Sequence, residues 1–176
     1  VLFFSSLVFA EDISDFEIEG MSIGDSLLDF VTEDYIKNNQ GKWYDDEYYQ
    51  IFINNNNETY EDVLVSFRSK DKKYLISSIS GSINYGRKIT ECYKQQDKID
   101  KIFLEIFKNS DRRIDIFEKG SYGPDAGDTN SKQIVYELSS GTAVIDCLDW
   151  DQKSKPDYND RILISVDNDK FREWLI

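Results

Sequence analysis

Alternation of apolar and polar residues predicts most of the secondary structure of this chain as β-strands. A repeat of two residues is the spacing of a strand with one buried face, and turn-forming residues cluster between the alternating segments. The predicted strands cover residues 48–53, 62–68, 74–85, 113–119, 133–138, 142–150 and 161–166. The spacing of Ile13, Phe16 and Ile18 predicts one further short edge strand.

Apolar residues at helical spacing predict two main helices and a short third one. The first begins at a Ser22–Asp25 pattern that resembles a capping box, ends near residues 38–41, and repeats Leu27, Leu28, Val31 and Tyr35. The second covers residues 89–109 and repeats Ile99, Ile102, Phe103, Ile106 and Phe107. Residues 167–169 can cap the third, which would bury Phe171, Trp174 and Leu175.

This order of elements predicts an α+β fold. Consecutive strands with short connections favour a mainly antiparallel sheet, built from two helix-then-strand units over residues 20–85 and 87–176 with the helices packed on one face. Residues 11–176 would form this single domain. The opposite face of the sheet should be polar, because alternate strand positions hold Ser66, Ser78, Ser80, Ser82, Asn84 and Asp146.

Residues 1–10 (VLFFSSLVFA) resemble the apolar segment of a secretory signal peptide. Such segments are roughly 7–15 residues long and end in small residues, and Val8-Phe9-Ala10 fits that ending. The run is too short for a membrane span of about 20 residues. We therefore expect a signal-peptide remnant and export to the periplasm or medium, with a buried N-terminal strand as the alternative.

Charge and composition exclude several classes of function. The chain has 176 residues, 34 acidic against 21 basic, a formal net charge of −13 and no histidine. This acidity argues against nucleic-acid binding, which needs clustered Lys and Arg, and against docking on an anionic membrane. Without histidine, Ser-His-Asp triads, Cys-His dyads and His-ligated zinc are absent, and no cofactor is indicated.

The two cysteines, Cys92 and Cys147, are predicted to form a disulfide. Cys92 lies seven residues before Ile99 and therefore on the apolar face of the second helix. Cys147 alternates with Ala143 and Ile145 on the buried face of a strand. In an oxidising compartment two such thiols usually pair; two separate buried thiols are the alternative.

The start of the first unit resembles a known family of lipoproteins. Gly20-Met21-Ser22, followed by Leu27, Leu28, Val31 and a three-strand meander, resembles the helix-plus-sheet unit of the BamE/SmpA lipoproteins. Two such units in tandem are similar to the β-lactamase inhibitory proteins, which are secreted and bind a partner through their sheet. The resemblance implies export and a binding module. It assigns no binding residue, and no cysteine begins the mature chain for lipid attachment.

Two motifs suggest chemistry but have a structural interpretation. Residues 24–27 spell the GDSL motif of esterases, whose serine needs a histidine base that this chain lacks, so Ser26 is better explained as a helix cap. Aspartates cluster in two loops and could bind Ca²⁺ or simply cap solvated turns. They are Asp149, Asp151, Asp157, Asp160, Asp167 and Asp169, with Asp125 and Asp128 in the other loop.

Aromatic and charged segments are similarly ambiguous. Trp43, Tyr44, Tyr48 and Tyr49 could form a recognition surface or pack as strand residues. Alternating Lys and Glu or Asp residues on the second helix are typical of a solvated face.

The sequence thus favours a non-catalytic exported module that binds another envelope or extracellular protein, with no nucleic acid and no stable membrane insertion. A histidine-free hydrolase with two carboxylates and a Ca²⁺-stabilised structural module are the alternatives.

Overall fold

One antiparallel sheet organises the computed structural model, which describes residues 12–42, 47–53, 59–118 and 127–175. In space the strands follow the order β1-β2-β3-β7-β6-β5-β4, and each neighbouring pair is antiparallel. The predicted α+β class and antiparallel sheet are confirmed. The strands are β1 (Tyr48–Ile53), β2 (Asp62–Arg68), β3 (Ile76–Asn84), β4 (Asp111–Phe117), β5 (Asn130–Leu138), β6 (Gly141–Asp149) and β7 (Arg161–Asn168).

Three α-helices accompany the sheet: α1 (Glu33–Asn39), α2 (Ile89–Ile106) and α3 (Asp169–Leu175). Strands β1 and β2 begin and end where the alternation predicts, and the other five differ by a few residues. Helix α2 starts at the predicted residue. No helix in the described part of the chain is both long and apolar enough to cross a membrane.

The first predicted helix is wrong in its extent. A 3-10 turn, Leu27–Asp29, is capped by Ser26, and α1 begins later with its own cap, Thr32. The Thr32 hydroxyl accepts a hydrogen bond from the Tyr35 backbone N–H at 3.2 Å. Thr caps favour a new helix start, so local hydrogen bonding divides the segment that apolar spacing alone predicts as one helix.

The predicted edge strand at residues 13–18 is also wrong. The Asp12 carboxylate accepts from the Ser14 backbone N–H at 2.9 Å and closes a 3-10 turn over Ile13–Asp15. Among the described residues, Ile18 forms an isolated bridge with Met21 and belongs to no strand. The apolar side chains are nevertheless buried, since Ile13 and Phe16 both belong to the core, so the pattern correctly predicted burial but not conformation.

The main core lies between α2 and one face of the sheet, which we call the first face. Directly paired residues of neighbouring strands point to the same face, which places Cys147 with Ile162 of β7 and Lys132 of β5. Helix α2 covers this face with buried residues Cys92, Gln96, Ile99 and Phe103. The N-terminal segment and α1 pack against the same core through Phe16 and Ile36.

The other side of the sheet, the second face, holds all six predicted polar positions. The register pairs Ser66 with Ser78 and sets Ser82 and Asp146 on either side of Leu163. The face is less open than predicted, because Ser66, Ser78, Ser82 and Asp146 are themselves buried. Small side chains in the middle of a sheet are shielded by longer neighbours, which explains polar residues with so little exposure.

Helix α3 lies on this second face. Its Phe171 ring packs edge-on against Tyr48 of β1, with centroids 5.1 Å apart. Tyr48 points to the second face because Tyr49 and Ile51, which alternate with it along β1, point to the first. The expectation that helices pack on one face only is therefore not confirmed. Phe171 is buried as predicted, whereas Leu175 is 42% exposed, contrary to prediction.

The two meanders, β1–β3 and β4–β7, meet where β3 pairs with β7. This junction joins the segments predicted as two units, without confirming that they are repeats. The signal-peptide prediction for residues 1–10 lies outside the described residues.

Candidate functional site

Helix α2 is clamped to the sheet by two different contacts. Cys92 and Cys147 form a disulfide, with Cα atoms 6.0 Å apart, and both are fully buried. One turn further along, the buried Gln96 amide donates to the backbone carbonyls of Lys132 at 2.7 Å and Ile145 at 2.9 Å. The predicted disulfide is present. Both contacts are structural, since neither reaches the protein surface.

A buried carboxylate, Asp146, occupies the middle of the second face. It accepts hydrogen bonds from the Ser131 hydroxyl at 2.5 Å and the Gln133 amide at 3.0 Å. Burial raises the pKa of Asp146 to about 6, although both hydrogen bonds oppose this rise. Loss of hydration disfavours the charged form of a carboxyl group, so Asp146 changes charge near neutral pH.

Arg161, the first residue of β7, lies diagonally across the second face from Asp146. Burial lowers the pKa of its guanidinium group, and the nearby Asp62 and Asp146 oppose that shift. The guanidinium carbon is 5.6 Å from the centre of the Trp150 ring, the range of a cation–π contact. Its Nε has no hydrogen-bond partner within the described residues.

Two further buried polar atoms near Arg161 also lack a hydrogen-bond partner among the described residues. The Ser82 hydroxyl and the Trp150 indole nitrogen are buried and without a hydrogen-bond partner in the described part of the chain. Ser82 pairs directly with Leu163, two residues along β7 from Arg161. Buried polar groups are normally satisfied, and each exception calls for an explanation. Three exceptions around one side chain mark this region as the candidate site.

Tyr158 forms the exposed rim of this region. Its ring lies 4.8 Å from the Trp150 ring, centre to centre, and 47% of the residue is exposed. The Lys155 ammonium lies over the Tyr158 ring, 5.6 Å from the ring centre. We call the group Ser82, Asp146, Trp150, Tyr158 and Arg161 the Arg161 site. It combines a partly desolvated cation with two aromatic rings that lead to solvent.

Ser26, the serine of the GDSL motif, is the N-cap of a 3-10 turn, which agrees with its interpretation as a helix cap. The Ser26 hydroxyl accepts from the Leu28 backbone N–H at 3.2 Å and donates to the Lys73 carbonyl at 2.8 Å. The first bond caps the 3-10 turn and the second ties that turn to a residue 47 positions further along the chain, which gives Ser26 a structural role.

In the described part of the two loops, Asp151 is an acceptor of hydrogen bonds from nearby residues rather than a member of an acidic cluster. Asp151 accepts from the Lys153 backbone N–H, the Ser154 hydroxyl and the Asp128 backbone N–H, and these bonds lower its pKa to about 2. No group of three or more potential metal-ligating residues occurs in the described ranges. Asp125 lies outside them. The interpretation as turn caps therefore explains Asp151, and a cation site remains an alternative without structural support.

Asp160 has a role that sequence reasoning missed. The N-cap residue of α2, Lys88, makes no side-chain capping bond, but the Asp160 carboxylate accepts from the backbone N–H groups of Ile89 and Trp150. Burial, with a smaller contribution from Asp149, raises the pKa of Asp160. A carboxylate at a helix N-terminus is favourable, so this cap is supplied by a residue about seventy positions further along the chain.

The aromatic segment of β1 divides between the two faces. Tyr48 packs against Phe171 and Trp174 on the second face, whereas Tyr49 packs against Phe67 on the first. Trp43 and Tyr44 lie outside the described residues. Because Tyr48 and Tyr49 point to opposite faces, they pack on the sheet and do not form one recognition surface.

The charged residues of α2 are not all solvated as predicted, because the Asp100 carboxylate accepts hydrogen bonds from Arg112 and from the Tyr136 hydroxyl. The pair formed by Lys94 and Glu91 is an ordinary surface pair. Lys94 contacts Glu91 at 2.8 Å, and both side chains are more than half exposed. Such pairs contribute little to stability.

Sequence reasoning did not identify Arg161 or Trp150 as site residues. Alternation from Leu163 and Ser165 places Arg161 on the polar face, but only the pairing of β6 with β7 brings Trp150 and Asp146 beside it.

Comparison with known protein families, with characterised proteins and with solved structures finds no match to this chain.

Proposed function

We propose that this chain is a non-catalytic binding module that engages another envelope or extracellular protein through the Arg161 site on the second face of the sheet. The observation that carries the proposal is the state of Arg161. Its guanidinium is partly desolvated and stacked on Trp150, and its Nε has no acceptor among the described residues. A cation held in this way gains most from an acceptor that a partner supplies.

The chemistry of the site selects a carboxylate as the partner group. Arg binds carboxylates through two parallel N–H···O bonds, and desolvation strengthens that bond when it forms. Trp150 stacks on the guanidinium and the Tyr158 ring packs on Trp150, so the two rings can exclude water from this region. Arg, Trp and Tyr are the residues most often found at binding hot spots. We infer that the bound group is the carboxylate of an acidic side chain or of the C-terminus of the partner.

Export is part of the proposal. A disulfide between buried cysteines forms and persists in oxidising compartments, which supports a periplasmic or secreted location. The apolar residues 1–10 support the same location from sequence.

The proposal also retains the likeness to BamE/SmpA units. Two meanders joined through β3 and β7 are what two fused helix-plus-sheet units would produce. In the β-lactamase inhibitory proteins such a sheet contacts the partner, and the second face is the surface that we propose for the same role here.

The test compares partner recovery by matched variants. The disulfide-bonded protein is immobilised and exposed to envelope extract, alongside Arg161→Gln and the control Lys94→Gln, which removes an exposed charge on α2. Truncating a hot-spot arginine typically weakens binding by about 30-fold or more. We expect Arg161→Gln to lose a partner that Lys94→Gln retains.

Two outcomes would contradict the proposal. One is equal recovery of the same partners by all three proteins. The other is turnover of an ester or glycoside panel by the wild-type protein that Asp146→Asn abolishes, which would favour the carboxylate-based hydrolase.

A further inference from the structure

Gln152 adds another buried polar atom without a partner beside the Arg161 site. Its amide nitrogen donates to the backbone carbonyl of Trp150 at 3.0 Å. This bond fixes the amide, because only the nitrogen can donate to a carbonyl. The Gln152 Oε1 atom is left buried, with no donor among the described residues. The region therefore lacks a hydrogen-bond donor for Gln152 as well as an acceptor for Arg161.

The four unpartnered atoms have different hydrogen-bonding capacities. The Arg161 Nε–H and the Trp150 indole N–H can only donate, the Ser82 hydroxyl can donate or accept, and the Gln152 Oε1 can only accept. A carboxylate alone satisfies the donors and leaves Gln152 unmatched. A ligand that satisfies all four atoms must carry an N–H group next to its acceptor oxygens.

The strand register and the loop after β6 bring these four atoms together. Ser82 and Arg161 lie diagonally across the β3–β7 pair on the second face, a separation that a long side chain can span. The Arg161 guanidinium stacks on Trp150, and Gln152 is bonded to the Trp150 backbone. The Asp146 carboxylate is turned toward β5 instead, where both of its oxygens accept hydrogen bonds.

The unpartnered atoms lie close to the surface. Trp150, Gln152 and Arg161 are each partly exposed as whole residues, although the atoms in question are covered. Tyr158 belongs to the exposed loop between β6 and β7, and its ring packs on Trp150. Side chains at binding surfaces commonly change rotamer when a ligand arrives. Displacement of the Tyr158 ring thus gives a ligand access to Trp150 without a change in the sheet.

The C-terminal residue of a polypeptide has the required pattern. Its carboxylate oxygens accept, and its own backbone N–H lies on the adjacent carbon and donates. An aspartate or glutamate side chain has no N–H on the carbon next to its carboxylate. Capture of a C-terminal carboxylate is a recurring mode of peptide recognition.

We propose that the Arg161 site binds the C-terminal residue of its partner, with the carboxylate on Arg161, Trp150 and Ser82 and the terminal backbone N–H on Gln152. This inference rests on the proposed function and narrows its partner group from any carboxylate to a chain terminus.

Small analogues of a chain terminus provide a test that needs no known partner. N-acetylglycine carries the carboxylate and the adjacent N–H. O-acetylglycolate has the same shape with oxygen in place of the N–H, propionate has the carboxylate alone, and N-acetylglycinamide lacks it. Each probe is titrated into the disulfide-bonded, isotope-labelled protein. The NMR signal of the Trp150 indole N–H, assigned with Trp150→Phe, gives the dissociation constants.

We expect N-acetylglycine to bind about ten-fold more tightly than O-acetylglycolate or propionate, because those two leave a buried acceptor unsatisfied. N-acetylglycinamide should not bind. Gln152→Leu should remove the ten-fold difference and still bind all three carboxylates, whereas Arg161→Gln should lose all three. Lys94→Gln, at an exposed position on α2, should behave as wild type. Far-UV circular dichroism verifies that each variant is folded.

Three results would overturn the inference, and they separate it from the proposed function. Equal binding of N-acetylglycine and propionate by the wild-type protein, lost in Arg161→Gln, would exclude the C-terminus and leave the proposed carboxylate site standing. A preference for N-acetylglycine over O-acetylglycolate that persists in Gln152→Leu would exclude Gln152 as the acceptor. A Trp150 signal that responds to none of the carboxylates would overturn the proposed function as well.

Discussion

The ring of Tyr60 lies directly against Gly81, the point of β3 where the first face has no side chain. A Cβ at position 81 would come within 2.5 Å of the ring carbons of Tyr60. Tyr60 is 6% exposed, and burial raises its pKa to about 12. Gly81 is therefore required by close approach of a ring rather than by an unusual backbone angle.

Replacing Gly81 with alanine should destabilise the protein by about 1–3 kcal/mol, because the added methyl group overpacks the site. Urea unfolding followed by circular dichroism measures the change. The same substitution in a Tyr60→Ala background should cost much less, since the ring is absent. Equal costs in both backgrounds would show that the clash is not the cause.

Reducing the Cys92–Cys147 bridge should lower the free energy of unfolding by about 4 kcal/mol. The bridge closes a loop with a sequence separation of 55 residues, and constraint of the unfolded chain increases with loop length. Urea titrations with and without a phosphine reductant measure the difference. Mass spectrometry before reduction verifies that the starting sample is bridged, and coincident unfolding curves would refute the expectation.

Asp146 should make the protein less stable as the pH rises. Its pKa is raised from 3.8 to about 6 on folding, so the folded state binds the proton more tightly than the unfolded state does. The resulting stabilisation is fully present below about pH 4 and is lost as the pH rises through 6. By pH 7 the loss from this group amounts to up to about 3 kcal/mol.

Asp146→Asn isolates that contribution. The amide oxygen can still accept from Ser131, and Gln133 can rotate its own amide to match. The variant should resemble wild type near pH 4 and exceed it in stability at pH 7. A stability difference that does not vary between pH 4 and pH 7 would show that Asp146 does not titrate differently on folding.

Asp160→Ala should destabilise the protein by about 1–2 kcal/mol through loss of the α2 cap. The carboxylate accepts from the backbone N–H groups of Ile89 and Trp150. Alanine leaves both N–H groups without that acceptor. Asp160→Asn keeps an accepting oxygen and should cost less. Asp157→Ala, at an exposed position, serves as the control and should leave the thermal midpoint unchanged.

Calcium tests the structural-module alternative. Asp151 already accepts three hydrogen bonds from its surrounding loops, so we expect millimolar Ca²⁺ and chelator to give the same thermal midpoint. A ligand that binds only the native state must raise that midpoint, and a clear rise would favour a cation site.

Local patterns predicted the elements that depend on local burial. The alternation in β1 and β2 placed both strands correctly, and the apolar repeat of α2 placed Cys92 on the face that meets Cys147. Where a side chain competes for backbone hydrogen bonds, the same method failed. Thr32 starts a new helix and Asp12 closes a turn, although the apolar residues around them are buried as their spacing suggests.

By itself, the sequence determined the antiparallel α+β class, the polar composition of the second face and the pairing of the two cysteines, because periodicity reports which side of an element is buried. The tertiary structure alone decided that Arg161 stacks on Trp150 without an acceptor for its Nε among the described residues, that Asp160 caps α2, and that β4 lies at the edge. Each of these depends on strand order and on contacts between residues far apart in the chain, which periodicity does not encode.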